Sequence, residues 1–257
     1  MTAPELGVTY DDAFYQSLDA DVSASAATIA PIVVDLLHPT SVLDVGCGRG
    51  TWLAAFARLG VNDVLGVDGA HVSARDLEIP PAAFLAHDLT QPLRLGRRFD
   101  LVMSLEVAEH LDEQYASAFV ESLVTHGAAV LFSAAVPGQG GAGHVNEQWP
   151  STWAARFAEH GYVPVDAVRP KVWTDRRVAY WYAQNVLLFV DGTDAATSAV
   201  RAACPSAPAL LDVVHPGLLA AVAATRRQPA PPSLTRALRA VPAAARRALR
   251  NRMGRDR

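Results

Sequence analysis

The chain has 257 residues, of which 51% are apolar and 19% charged, with a net charge of −4. That balance buries a full core and fits one α/β domain with additions, which sets aside a disordered or fibrous protein. From Arg226 onward ten arginines stand against one acid, Asp256, a net +9, so the preceding residues carry −13. An acidic body argues against a broad surface for double-stranded nucleic acid.

Residues 1–12 show no periodicity. Phe14 to Leu37 reads as helical, with Ile29, Ile32, Val33, Leu36 and Leu37 on one stripe and Pro31 expected to break it into two helices. Tyr10 and Tyr15 either line a pocket or simply pack. From 41 to 134 the text alternates, with strands near 41–45, 63–67, 82–86, 99–104 and 128–134 and helices near 51–59, 71–77 and 112–126. Alternation of this kind means βαβ units and a mostly parallel sheet, with ligands beyond the carboxyl ends of the strands. Residues 137–149 are glycine-rich and read as a loop on that same side. Ser151 to His160 reads as a helix capped by Ser151 and ended by Gly161. Tyr162–Val168 and Gln184–Val190 read as the last two strands, an antiparallel pair. The aromatics between them, Trp173, Tyr180, Trp181 and Tyr182, suit either a lid or subunit contact or a hairpin packing on itself.

Three segments follow: an N-terminal helical cap over 1–38, a central domain over 39–191, and an Ala-, Pro- and Arg-rich helical extension over 192–257. The closing stripe of Leu234, Leu238, Val241, Ala245, Leu249 and Met253 makes a basic amphipathic helix with Pro242 inside it. Such a helix can meet an anionic membrane, a protein partner or the acidic body. No apolar run reaches the ~18 residues of a membrane span, and the polar start does not read as a signal peptide, so the expectation is a cytoplasmic protein. Cys47 and Cys204 do not suggest a disulfide; Cys47 reads as a small residue tolerated in its turn or as a reactive thiol near a helix start.

The chain is organised around Ser41 to Leu53. Val42, Leu43 and Val45 are the apolar run of a buried parallel strand, followed by Gly46, Gly48 and Gly50 at every second position and then a helix. A helix start offers free N–H groups to the polar part of a ligand. The dinucleotide fingerprint places its third glycine one residue later. The spacing Asp44-x-Gly46-x-Gly48-x-Gly50 resembles motif I of the class I S-adenosylmethionine (SAM) dependent methyltransferases. The next strands continue the resemblance, with Asp68 at the end of Val64–Val67, Asp88 after Phe84–His87, and Ser104 and Glu106 closing Phe99–Leu105.

This resemblance implies a Rossmann-like, seven-stranded methyltransferase sheet with one antiparallel strand, and SAM as cofactor. By the same resemblance Asp44, Gly46, Cys47, Gly48, Gly50, Asp68, Gly69, Asp88, Leu89 and Ser104 hold that cofactor. Asp44 would accept from its ammonium, Asp68 from both ribose hydroxyls, and Asp88 would meet the adenine amino group. The N-terminal helical segment would cover cofactor and substrate.

Methyl transfer requires the nucleophile to be held at the methyl carbon and relieved of its proton. Glu-His-Leu at 109–111 occurs in small-molecule methyltransferases, where the His serves as base. Here Glu106 stands three residues earlier, and in a helical turn Glu106, Glu109 and His110 share one face. With His144 in the glycine-rich loop, this set resembles the metal site of the small-RNA 3′-terminal 2′-O-methyltransferases, which implies Mg²⁺ or Mn²⁺ on Glu106, Glu109, His110 and His144. The catalytic candidates are His110, Glu109 and His144. The expected reaction is O-methylation of a sugar, glycan or other small molecule. A metal-free N- or O-methyltransferase using His110 alone, or a silent SAM-binding subunit, stands beside it.

Overall fold

A computed structural model describes residues 12–203 and 210–227, with side chains over 20–202 and 210–224. The chain forms two units, Met1–Leu218 and Leu219–Arg257. Within the first, helix α1 (Asp12–Leu37) leads into β1 (Ser41–Val45), α2 (Thr51–Arg58), β2 (Asp63–Asp68), β3 (Phe84–Ala86), β4 (Leu101–Leu105), α3 (Ala116–His126) and β5 (Ala129–Ser133). Then come α4 (Pro150–Ala158), β6 (Tyr162–Val165), α5 (Arg169–Val172), α6 (Tyr180–Asn185), β7 (Leu187–Asp191) and α7 (Ser198–Ala203). Helix α8 (Pro216–Arg227) is the last described element. Tyr10, Cys204 and the stripe from Leu234 to Met253 lie outside the described residues, as does the side chain of Tyr15.

The seven strands form one sheet in the order β3-β2-β1-β4-β5-β7-β6, parallel except for β7, which runs against both of its neighbours. All five residues of β1, β4 and β5 are buried, as central parallel strands covered on both faces must be. Alternation then sorts their side chains. Val42, Leu101, Met103 and Leu131 face α1 and α2, while Leu43, Val102, Val130 and Phe132 face α3 and α4. On the second face Phe157 stacks on Phe189 at 4.0 Å, with Trp153 against Phe132. Each fully buried side chain of this size stabilises the fold by roughly 1.5–3 kcal/mol.

Four local expectations fail for physical reasons. Pro31 does not break α1, because Ala26, Ile29, Ala30 and Val33 are buried against α2 and that packing outweighs one lost backbone bond. Residues 71–77 form turns instead of a helix. They are tied to the glycine turn by Arg49 Nε donating to Asp76 O, Glu78 N donating to Arg49 O, and Thr51 Oγ1 donating to Glu78 Oε1. Ser151 does not cap α4; Pro150 takes the first helical position, and the Ser151 N–H and hydroxyl both donate to Asp212 at 2.8 and 2.6 Å. Residues 184 and 185 finish α6, and the aromatic stretch before them is two short helices, with Trp52 meeting Tyr182 edge to face.

The window Ala20–Leu37 of α1 is long and apolar enough to cross a membrane, contrary to the sequence expectation, yet its inner face belongs to the core. At the far edge, Arg169 is 2% exposed and pairs with Asp166 at 2.7 Å. Its remaining N–H groups donate to the carbonyls of Gln184, Leu210 and Leu211.

Candidate active site

The carboxyl ends of β1, β2, β3 and β4 open into one cavity of about 750 Å³. Six of the expected cofactor residues line it: Gly46, Gly48, Asp68, Gly69, Asp88 and Leu89. Glu106 and His110 line it too, together with His71, His87, Val107 and Leu111, to which the sequence reading gave no part. The other four expected cofactor residues, Asp44, Cys47, Gly50 and Ser104, sit behind the wall.

The glycine turn explains this division. Gly46 has φ +86°, and a Cβ there would lie 2.3 Å from a methyl of Val107. At Gly48, with φ +52°, a Cβ would meet nothing within 4 Å, and the residue lines the cavity. Gly50 starts α2 in a left-handed conformation, and a Cβ there would lie 2.9 Å from the Ile79 side chain. Beneath the turn the Cys47 thiol donates to Gly48 O, and burial, with Asp44 and Asp68 nearby, pushes its pKa up, so it packs as a small inert residue. Asp44 is 2% exposed; burial, then the charge of Asp68, raises its pKa to about 8. Ser104 is fully buried in β4.

Asp68 is held open to the cavity from behind. Its two oxygens accept the N–H groups of Gly48 and Gly69, both at 2.6 Å, which fixes the carboxylate and leaves lone pairs for a diol. Asp88 is tied back by Thr90, whose hydroxyl and N–H donate to it at 2.7 and 3.0 Å and lower its pKa.

After β4 the chain turns sharply. Glu106 has φ +56°, a conformation that L side chains rarely adopt, and its N–H donates to Ser133 O. That twist gives both of its oxygens to other partners, although its charge still bears on Glu109 and meets that of His144. Its Oε1 accepts from Asn185 Nδ2 at 3.1 Å and its Oε2 from Gln139 Nε2 at 3.0 Å. The Glu106, Glu109 and His110 side chains therefore do not share one helical face; a 3₁₀ turn over Ala108–His110 carries only the last two.

Glu109, His110 and His144 come together, their ligand atoms all within 4.8 Å of one another. Glu109 is completely buried, and neither carboxylate oxygen has a hydrogen-bond partner among the described residues. Burial, then the neighbouring Glu106, pushes its pKa above the ordinary carboxylate range. His110 opens to the cavity, yet the protein around it still withdraws enough water to lower its pKa, with His144 adding to the effect. Its Nδ1 lies 3.3 Å from Gly143 O, an acceptor only, so Nδ1 carries the proton and Nε2 the lone pair.

The glycine-rich loop is docked by its backbone, Val145 N and Asn146 N donating to Glu109 O at 2.8 and 3.0 Å. Glu147, Gln139 and Asn185 are the polar residues whose place here the sequence reading missed. Glu147 stood in view three positions after His144, but nothing local marks Asn185.

The donor set of one carboxylate and two imidazoles, with two buried oxygens otherwise unsatisfied, fits a divalent cation. The glycine turn, Asp68 and Asp88 fit the amino-acid, ribose and adenine parts of SAM.

A family model described as "Methyltransferase domain" matches residues 20–167, more than half of the chain. The chain is 35% identical over 90 residues to a ubiquinone biosynthesis O-methyltransferase of Bartonella quintana (strain Toulouse), covering 32% of this chain and 35% of that one. It thus spans about a third of the length of these O-methyltransferase relatives. It is 30% identical over 179 residues to the dTDP-3-amino-3,4,6-trideoxy-alpha-D-glucopyranose N,N-dimethyltransferase of Streptomyces venezuelae, covering 66% of this chain and 67% of that one. The fold is that of SAM-bound CalS10, an amino pentose methyltransferase from Micromonospora echinaspora, with a TM-score of 0.52, 17% identity, and coverage of 74% of this chain and 100% of that one. A seven-stranded sheet with β7 reversed, a glycine turn closing β1 and acids at the next strand ends agree with these matches, and the chain belongs to the class I SAM-dependent methyltransferase family.

Proposed function

We propose that this protein transfers the methyl group of SAM to a hydroxyl of a sugar or other small molecule, assisted by a divalent cation on Glu109, His110 and His144. The observation that carries the reading is the Glu109 carboxylate, buried without a hydrogen-bond partner beside two imidazoles. An uncompensated buried carboxylate is costly, and a cation is the partner that this donor set suits. With two nitrogens to one carboxylate and Glu106 engaged by amides, the set favours Mn²⁺ over Mg²⁺. SAM supplies the methyl group, and the cation lowers the pKa of the acceptor hydroxyl and orients it.

The chain's own residues divide the remaining work. Asp68 and Asp88 orient the nucleoside, and the open Gly48 lets the ligand approach the backbone. His110 reaches the cavity with Nε2 unprotonated and a lowered pKa, which keeps the ring neutral and that nitrogen able to ligate the cation. The inner face of α1 belongs to the core, and the reading is of a cytoplasmic enzyme.

A second reading rests on that same accessible His110. It is the one member of the cluster that lines the cavity, and as base alone it would serve an amine or a phenol without metal. The relatives named above include both N- and O-methyltransferases.

Calorimetric titration of Mn²⁺ into the protein saturated with S-adenosylhomocysteine separates the two. Binding near one equivalent, lost in Glu109→Ala and in His144→Ala, supports the metal-assisted reading. Cofactor binding without metal binding overturns it and leaves His110 as the base.

A further inference from the structure

We propose that Glu147 is a positioning residue that selects the tautomer of His144, holding its proton on Nδ1 and leaving Nε2 as the free nitrogen. The inference concerns His144 within the cluster of Glu109, His110 and His144, and only its metal arm rests on the function proposed above.

The geometry begins with the loop. Gly138, Gly140 and Gly143 all take positive φ, +85°, +72° and +74°, which only glycine adopts freely. Those turns aim backbone N–H groups inward, and Glu147 collects them: Oε2 accepts from Gly138 N and Oε1 from Gly140 N, both at 2.7 Å. Oε1 also lies 3.0 Å from His144 Nδ1. A carboxylate engaged by two backbone donors is an acceptor, so the third contact requires a proton on Nδ1. The opposite side of the ring rests on Gly141, where a Cβ would fall 2.2 Å from Nε2. The ring is thus held at Nδ1 by the carboxylate, while Nε2 occupies space that a side chain at position 141 would take.

His110 reaches the same tautomer by a different route, through the carbonyl of Gly143. The two imidazoles of the cluster therefore each offer Nε2. Outer carboxylates that hold ligand histidines in this way raise their basicity and fix their orientation. If Glu147 did no more than close the loop, removing it would leave the His144 tautomer where it was.

The test is the ¹⁵N spectrum of protein labelled at histidine, recorded above the ordinary histidine pKa and assigned by loss of the His144 signals in His144→Asn. In the wild type, the proposal expects the proton on Nδ1 of His144. In Glu147→Ala it expects that proton to move toward Nε2, and in Glu147→Gln, which keeps an acceptor oxygen, it expects Nδ1–H to return. A wild-type ring protonated on Nε2 overturns the proposal, with no variant needed. So does Glu147→Ala that keeps both its fold and the Nδ1–H form. The companion titration expects Glu147→Ala to weaken Mn²⁺ binding by about 10–100-fold. A wild type that takes no Mn²⁺ sinks the metal-assisted reading, while the tautomer measurement still decides this one.

Discussion

The rings of His110 and His144 meet edge to face, with centroids 4.9 Å apart and planes at 86°, although one stands on a 3₁₀ turn and the other in a loop beyond the next strand. Glu109 makes the meeting possible twice over. Its carbonyl docks the loop through Val145 and Asn146, and its carboxylate faces both rings. One residue therefore joins the folding of the loop to the chemistry of the cluster.

His110→Ala removes the imidazole that opens to the cavity. Turnover is expected to fall at least about 10²–10⁴-fold, whether the ring is a ligand of the cation or, without metal, the general base. Affinity for S-adenosylhomocysteine should hold, because Asp68 and Asp88 are untouched. Paired rate and calorimetric measurements check this, and undiminished turnover would remove His110 from the mechanism.

Gly141→Ala places a methyl where the closest atoms all belong to the His144 ring, at 2.2, 2.5 and 2.7 Å. The site is exposed and the φ ordinary, so stability should change by no more than about 0.5 kcal/mol. Mn²⁺ binding and turnover should both drop. A melting curve beside a titration reads the two effects separately.

Gly46 and Gly48 share a positive φ but not a neighbourhood. Gly46→Ala adds a clash with buried Val107 to the backbone strain, and the two together should cost about 2–5 kcal/mol. Gly48→Ala carries the strain alone, about 1–2 kcal/mol, and intrudes on the cavity. The first variant is expected to fail in urea unfolding and the second in cofactor titration. Equal losses in both assays would contradict the geometry.

Asp44 gives the protein a pH-dependent stability. Its folded pKa is raised, to about 8 from 3.8, so the native state keeps a proton that the unfolded chain gives up. Stability from this group is full below about pH 4 and is lost as pH rises toward about 8, by at most on the order of 5 kcal/mol. Asp44→Asn should flatten that slope in cofactor-free protein. Urea midpoints at pH 5 and pH 8 for both proteins measure it; parallel slopes would show that Asp44 does not titrate there.

What could be read in advance follows from how local each cause is. The strands β1, β4 and β5 announced themselves as apolar runs because both faces are covered. Asp68 and Asp88, which line the cavity, could be placed at one crevice in advance because a strand end is a local feature. Pro31 misled because the restoring force comes from α2, and residues 71–77 misled because Arg49 and Thr51 reach across to hold them. Glu106 was given to the metal on its helical spacing and on the resemblance of the Glu-x-x-Glu-His set. Its backbone twist and its partners Gln139 and Asn185, 33 and 79 positions away, exist only in the folded chain. Glu147 likewise gains its meaning from two glycine N–H groups that precede it.

The buried guanidinium of Arg169 has a bearing on how the molecule can be cut. Its charge is answered by Asp166, but two of its carbonyl partners, Leu210 and Leu211, arrive after the last strand is finished. A chain trimmed at Asp191 would keep every strand and the Asp166 pair, yet take two carbonyl acceptors from a buried guanidinium, a defect worth about 1–3 kcal/mol. The shortest piece that can fold by itself therefore extends past its own sheet, and grafts or deletions that spare the catalytic cavity should also spare the residues through Leu218.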